Sequence, residues 1–86
     1  MPLHVELVSP ERILYSGEAE MVVCRTVSGG EVAFLTGHAP FLGALAEGEV
    51  RVKTSGGGDE KASVEGGFVH VKDDRVIVLS EGADLS

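Results

Sequence analysis

Eighty-six residues leave room for one domain and one core, spanning residues 1–86, and a chain of this length buries only about 60% of its unfolded surface. The formal net charge of −7 excludes the electrostatic footprint that phosphate backbones and anionic headgroups attract, so neither nucleic acid nor direct lipid insertion is expected. Cys24 is the only cysteine, which excludes an internal disulfide and with it a secreted disulfide scaffold.

Hydrophobic residues make up 43% of the chain and aromatics only 5%, so the core is built from Val, Leu, Ile and Ala, a composition that favours strands. The opening Met1-Pro2-Leu3-His4-Val5-Glu6 has no basic end before an apolar stretch, so no signal peptide is expected. No apolar run approaches the roughly 18–20 residues of a membrane span. The chain reads as cytoplasmic or peripheral to something larger.

Taken in order, Leu3, Val5 and Leu7 alternate with polar neighbours and predict a strand that Ser9-Pro10 ends. Ile13 to Tyr15 predicts a short strand before a turn at Ser16-Gly17. Glu20 to Val27 follows as a longer apolar strand, stopped by Ser28-Gly29-Gly30. Val32 to Leu35 leads into a corner at Thr36 to Pro40, and Phe41 to Leu45 leads out of it. Glu49 to Thr54 alternates again, with Val50 and Val52 on one face and Arg51 and Lys53 on the other. A Gly-rich hairpin tip at Ser55 to Asp59 returns the chain through Lys61 to Glu65. After Gly66-Gly67, Phe68 to Val71 pairs across Asp73-Asp74 with Val76 to Leu79. Turn signals recur about every 8–12 residues and no segment carries a 3.6 period, which is the pattern of an all-β fold. The expected architecture is a flattened β-sandwich of about ten short, mainly antiparallel strands.

The chemistry-bearing residue types are sparse. His4, His38, His70 and Cys24 show no metal-ligand spacing, so no metal is expected. Ser, His and Asp occur without a Gly-x-Ser-x-Gly elbow. Ser55-Gly56-Gly57-Gly58-Asp59 shares only its glycines with a phosphate loop, because no Gly-Lys-Ser or Gly-Lys-Thr ends it. No catalytic residue and no cofactor are expected. Asp59-Glu60-Lys61-Ala62 is a weaker alternative: a lysine between acidic residues and alanine is what lipoyl and biotinyl carrier domains present, though Lys61 follows a Gly-rich loop and lies past the chain midpoint. Gly37-His38-Ala39-Pro40 stands out most. Pro40 drives Ala39 toward extended geometry and Gly37 can take φ > 0, so His38 is presented on a stiff corner. That corner reads either as a plain turn between sheets or as a docking surface.

Several segments together resemble a known family, the N-terminal β-sandwich of the epsilon subunit of F-type ATP synthase. They are Leu3 to Glu11, Tyr15-Ser16-Gly17, Gly30-Glu31-Val32, Gly37 to Leu42, Gly48 to Val52, Gly66 to Val69 and Val76 to Ser80. Where the family commonly reads Gly-Ile-x-Pro before Gly-His-Ala-Pro, this chain has Ala33-Phe34-Leu35-Thr36, a departure assigned to the loop region.

The resemblance implies a non-catalytic rotor part that holds the gamma subunit and rests on the c-ring, within the F1 alpha/beta assembly. It would couple proton-driven rotation to ATP synthesis at the cytoplasmic face of the bacterial plasma membrane. It also implies that the Ser28 to Glu31 turn and the His38 corner lie at one end, near the c-ring loops. Glu31, His38, Ala39, Pro40, Phe41 and Leu42 are then the expected contacts to gamma or the ring. In the family's usual pattern two regulatory helices follow the sandwich. Here Glu81 to Ser86 stands where they would begin, so this chain is expected to lack their inhibitory role.

Overall fold

The alternation of apolar and polar residues becomes ten strands in the computed structural model, which describes residues 3–54, 56 and 58–85. They are β1 Leu3–Val8, β2 Ile13–Ala19, β3 Met21–Thr26, β4 Gly30–Leu35, β5 Phe41–Leu45, β6 Gly48–Lys53, β7 Asp59–Val64, β8 Gly67–Lys72, β9 Arg75–Ser80 and β10 Ala83–Leu85. The all-β expectation holds. Every pairing is antiparallel except that of β1 with β9.

The ladder divides at β3. One edge of β3 pairs with β4, while the other edge serves two neighbours. Met21, Val22 and Val23 face β6, and Thr26 faces Leu45 of β5. Val27 N–H also donates to Ala44 C=O (3.0 Å) and Ala46 N–H to Arg25 C=O (2.9 Å). One layer therefore runs β4-β3-β6-β7-β10 and the other β5-β8-β9-β1-β2. Val22, Cys24, Phe34, Val50, Val52, Ala62 and Val64 point inward from the first layer. Leu3, Val5, Leu7, Val69, Val71, Val76 and Val78 point inward from the second, and all join one buried cluster. Because strand side chains alternate with period 2, each inward set is read directly from every second residue.

Three local expectations are corrected. Ser16-Gly17 is not a turn: both residues lie inside β2, opposite Glu6 and Val5. The ring of Tyr15 lies over Gly17, with its hydroxyl 3.5 Å from where a Cβ would be. That hydroxyl donates to Glu18 C=O at 2.8 Å. The strand continues through Gly17 to Ala19. Second, Ala83–Leu85, to which the residue pattern assigned no element, adds a strand along Ala62 to Val64 of β7. Third, the Ala33-Phe34-Leu35 departure is strand, since all three residues belong to β4. Of the Gly-rich tip, Ser55 and Gly57 lie outside the described residues.

The registers define two ends. One holds the start of β1, the Thr36 to Pro40 corner, the β6–β7 connection and the Asp73-Asp74 turn. The opposite end holds the β1–β2 loop, the Thr26 to Gly30 turn, the β5–β6 and β7–β8 connections and Ser80 to Gly82.

Candidate interface site

At the corner, the chain leaves β4 through a tight turn closed by His38 N–H donating to Leu35 C=O at 3.1 Å. Gly37 takes φ +85°, with open space around its would-be Cβ, so the backbone and not crowding requires glycine there. Its N–H donates to Asp74 Oδ1 at 2.8 Å. Asp73 and Asp74 have φ values of 51° and 60° and join Lys72 to its partner Arg75, the two-residue type I′ geometry that matches strand twist. Asp74 C=O also accepts His4 N–H at 2.9 Å. One residue thus ties the β8–β9 turn to the β4–β5 corner and to the head of β1.

Beneath the corner lies a short aromatic stack. The fully buried Phe34 meets the His38 ring edge-on, centroids 4.9 Å apart at 78°, and the Phe41 ring at 5.3 Å and 49°. Such tilted pairs suit the ring quadrupoles. His38 Nδ1 lies 2.7 Å from Ala39 C=O and, since a carbonyl only accepts, donates to it. Phe41 covers Gly43, where a Cβ would come within 2.8 Å of the ring. His38 and Phe41 are therefore half-buried supports, while Ala39, Pro40 and Leu42 form the presented surface, Leu42 at 71% exposure.

Glu31 does not join them. It pairs with Arg25 beside the Thr26 to Gly30 turn, and β4 runs from there to the corner. Extended β4 carries the chain from Glu31 to Leu35, about 13 Å, before the corner begins. The expectation that both lie at one end is corrected. Glu31 Oε1 is 3.9 Å from Arg51 Nη2, whose Nε is 3.7 Å from Glu49 Oε1. These exposed pairs contribute little to stability.

Sequence reasoning missed an apolar row on the outer face of the second layer. Ala44, Phe68, Leu79, Val8 and Ile13 stand opposite one another across β5, β8, β9, β1 and β2. Phe68, Leu79 and Ile13 are 56%, 52% and 61% exposed. The signal was present in the unbroken Val76-Ile77-Val78-Leu79 run, since a strand apolar at every position is apolar on both faces.

The other chemistries find no geometry here. Among the described residues no three His, Cys, Asp or Glu side chains converge as they would around a metal ion. Cys24 is fully enclosed and burial pushes its thiol up to about 11, so it carries no thiolate at neutral pH. Lys61 sits inside β7 opposite Arg51, not at the hairpin tip a carrier lysine occupies. A hollow of about 780 Å³ at the end remote from the corner is walled by Glu11, Arg12, Glu47, Glu65 and Glu81. It lacks the apolar lining of small-molecule pockets.

Residues 2–86 match the family model described as the ATP synthase delta/epsilon chain β-sandwich domain. The chain is 48% identical over 84 residues to an ATP synthase epsilon chain of Streptomyces griseus, covering 98% of this chain and 67% of that protein. It is 51% identical over 87 residues to an ATP synthase epsilon chain of Frankia casuarinae, covering 100% of both. Among solved structures it is similar to a chain of the Euglena gracilis mitochondrial ATP synthase, resolved with OSCP, F1 and the c-ring. The TM-score is 0.89 at 26% identity, covering 98% of this chain and 53% of that one. A chain of the Tetrahymena thermophila mitochondrial central stalk and c-ring, at 15% identity and TM-score 0.78, shares the fold.

Proposed function

The chain belongs to the family of ATP synthase delta/epsilon chain β-sandwich domains, and from that premise we propose that it is a non-catalytic subunit of the central stalk. Residues 1–86 act as one sandwich that docks the gamma subunit onto the c-ring and passes proton-driven rotation toward the sites of ATP synthesis. Its place is peripheral, at the cytoplasmic face of a bacterial plasma membrane. The observation that carries this reading is the family match across residues 2–86, joined to 51% identity with an ATP synthase epsilon chain along that protein's whole length.

The corner contacts gamma or the ring through Ala39, Pro40 and Leu42, with His38 and Phe41 holding their shape. Glu31 makes a separate polar contact at the other end of β4. Phe41→Asp is unsuited to testing this, because it would place a charge against Phe34. Leu42→Asp alters only exposed surface. With the complex purified from native membranes, wild-type chain is expected to travel with gamma, alpha, beta and the c-ring. Leu42→Asp is expected to weaken its retention about tenfold, the scale of an interface anchor, with an unchanged circular dichroism spectrum. Recovery of wild-type chain as a free monomer would overturn the reading. Unchanged retention of Leu42→Asp would remove the corner from it.

A further inference from the structure

β2 ends the second layer. Among the described residues it pairs only with β1, so one side of its backbone has no strand beside it. Its seven residues make it the longest strand described, against six in β4 and three in β10 at the ends of the first layer. An open edge of that length is a template for sheet extension by another chain, and proteins commonly blunt it with Lys or Pro. Ile13–Ala19 contains neither.

The register fixes which backbone groups face outward. His4 N–H donates to Asp74 C=O, so His4 and, by alternation, Glu6 turn their backbone groups toward β9. Their partners in β2, Glu18 and Ser16, therefore make the non-hydrogen-bonded pairs with β1 and turn N–H and C=O to the open side. Near the start of β2 the register slips and leaves Leu14 as an extra residue, a bulge that twists an edge away from pairing. Near its end, Glu18 C=O accepts the Tyr15 hydroxyl at 2.8 Å. Tyr15 packs against the buried cluster, which holds that hydroxyl in place. Burial first, and then the Glu60 and Glu18 carboxylates, raise the phenol above its ordinary value and keep the bonding proton on it.

We infer that Tyr15 guards this edge against a second copy of the chain. Consider β2 pairing with itself, antiparallel and two-fold, about Gly17. Ser16 N–H would donate to Glu18 C=O of the other copy and Glu18 N–H to its Ser16 C=O, each reciprocated. In both copies the Tyr15 hydroxyl stands where the incoming N–H would approach Glu18 C=O, so half of those bonds are forfeit. Moving the centre to Ser16 sets Glu18 against the bulged Leu14 instead. The bulge and the tyrosine thus close the two registers that the edge offers. This guard acts on the chain by itself, whatever complex it joins.

Sedimentation velocity of wild type, Y15F, S16P and Y15F/S16P, from about 10 µM to 1 mM, is the test. Y15F keeps the ring and frees the carbonyl in both copies. Its dimer association constant is expected to rise about tenfold or more, the scale of one regained hydrogen bond per copy. S16P removes an N–H that β1 does not use, so S16P alone should melt within a few degrees of wild type. Y15F/S16P should return to monomer, which aggregation of unfolded chains would not do. Y15F no more associated than wild type would overturn the guard. So would a wild type that already dimerises through this edge, recognised by its loss in S16P. Equal association of Y15F and Y15F/S16P would place the contact elsewhere and overturn it as well. An S16P chain that fails to fold would show that the Ser16 N–H faces β1, and the assigned edge would fall with it.

Discussion

Gly67 shows what a single missing methyl can decide. At φ +134°, a Cβ there would overlap the Leu79 carbonyl oxygen and lie 2.8 Å from Ser80 Cα. Both neighbours are backbone of the paired strand β9 and cannot swing aside. Gly67→Ala is expected to destabilise by about 3 kcal/mol or more, lowering Tm by at least about 10 °C. Gly30→Ala serves as its comparison, because φ is +68° there but nothing lies within 4 Å. That change should cost only the left-handed backbone penalty of about 1–2 kcal/mol. Equal melting points for the two variants would show that steric contact is not what fixes Gly67. The Gly66-Gly67 pair is legible in sequence as punctuation, but which glycine is indispensable depends on Leu79 and Ser80, more than ten residues away. Gly17 was misread for a related reason. A glycine under an aromatic ring looks, in one dimension, the same as a glycine at a turn.

Among elements, the joint between the β4–β5 corner and the β8–β9 turn rests on Asp74. Its αL backbone is strained for a residue with a side chain, by about 1 kcal/mol, and its carboxylate repays that by accepting the Gly37 N–H. Asp74→Gly relieves the strain and removes the bond, so the two effects nearly cancel in Tm, to within about 1 kcal/mol. The corner itself should loosen. Hydrogen exchange at the Gly37 amide is expected to accelerate at least tenfold, and unaltered exchange would show that the turn is held without Asp74. The corner was readable because Gly37, His38 and Pro40 act locally on the backbone. Asp74, 37 residues later in the chain, carries no such local mark. The placing of Glu31 and His38 at one end was avoidable: an extended β4 between them already demanded about 13 Å of separation before the corner.

Across the whole molecule, period-2 alternation made the all-β class and most strands legible, since each core face is every second residue. The division at β3 was not legible, because it depends on Thr26 meeting Leu45 only after both layers exist. The same non-local character governs how the fold is reached. β1 pairs in parallel with β9, joining His4 to Arg75 and Val8 to Leu79 across nearly the full chain. Closing such loops before contacts reward them is slow, so refolding from urea, followed by far-UV circular dichroism, is expected on the scale of milliseconds to seconds. Relaxation in microseconds would mean that the long-range pairings do not limit it. The branched strand has a mechanical consequence as well. In a sandwich joined only by packed side chains, a sideways pull on one face is resisted by contacts that can slip past each other. Here β3 belongs to both ladders, so the same pull loads backbone hydrogen bonds lengthwise and together. A displacement at the apolar outer face would be felt at the charged one with little lost motion between them.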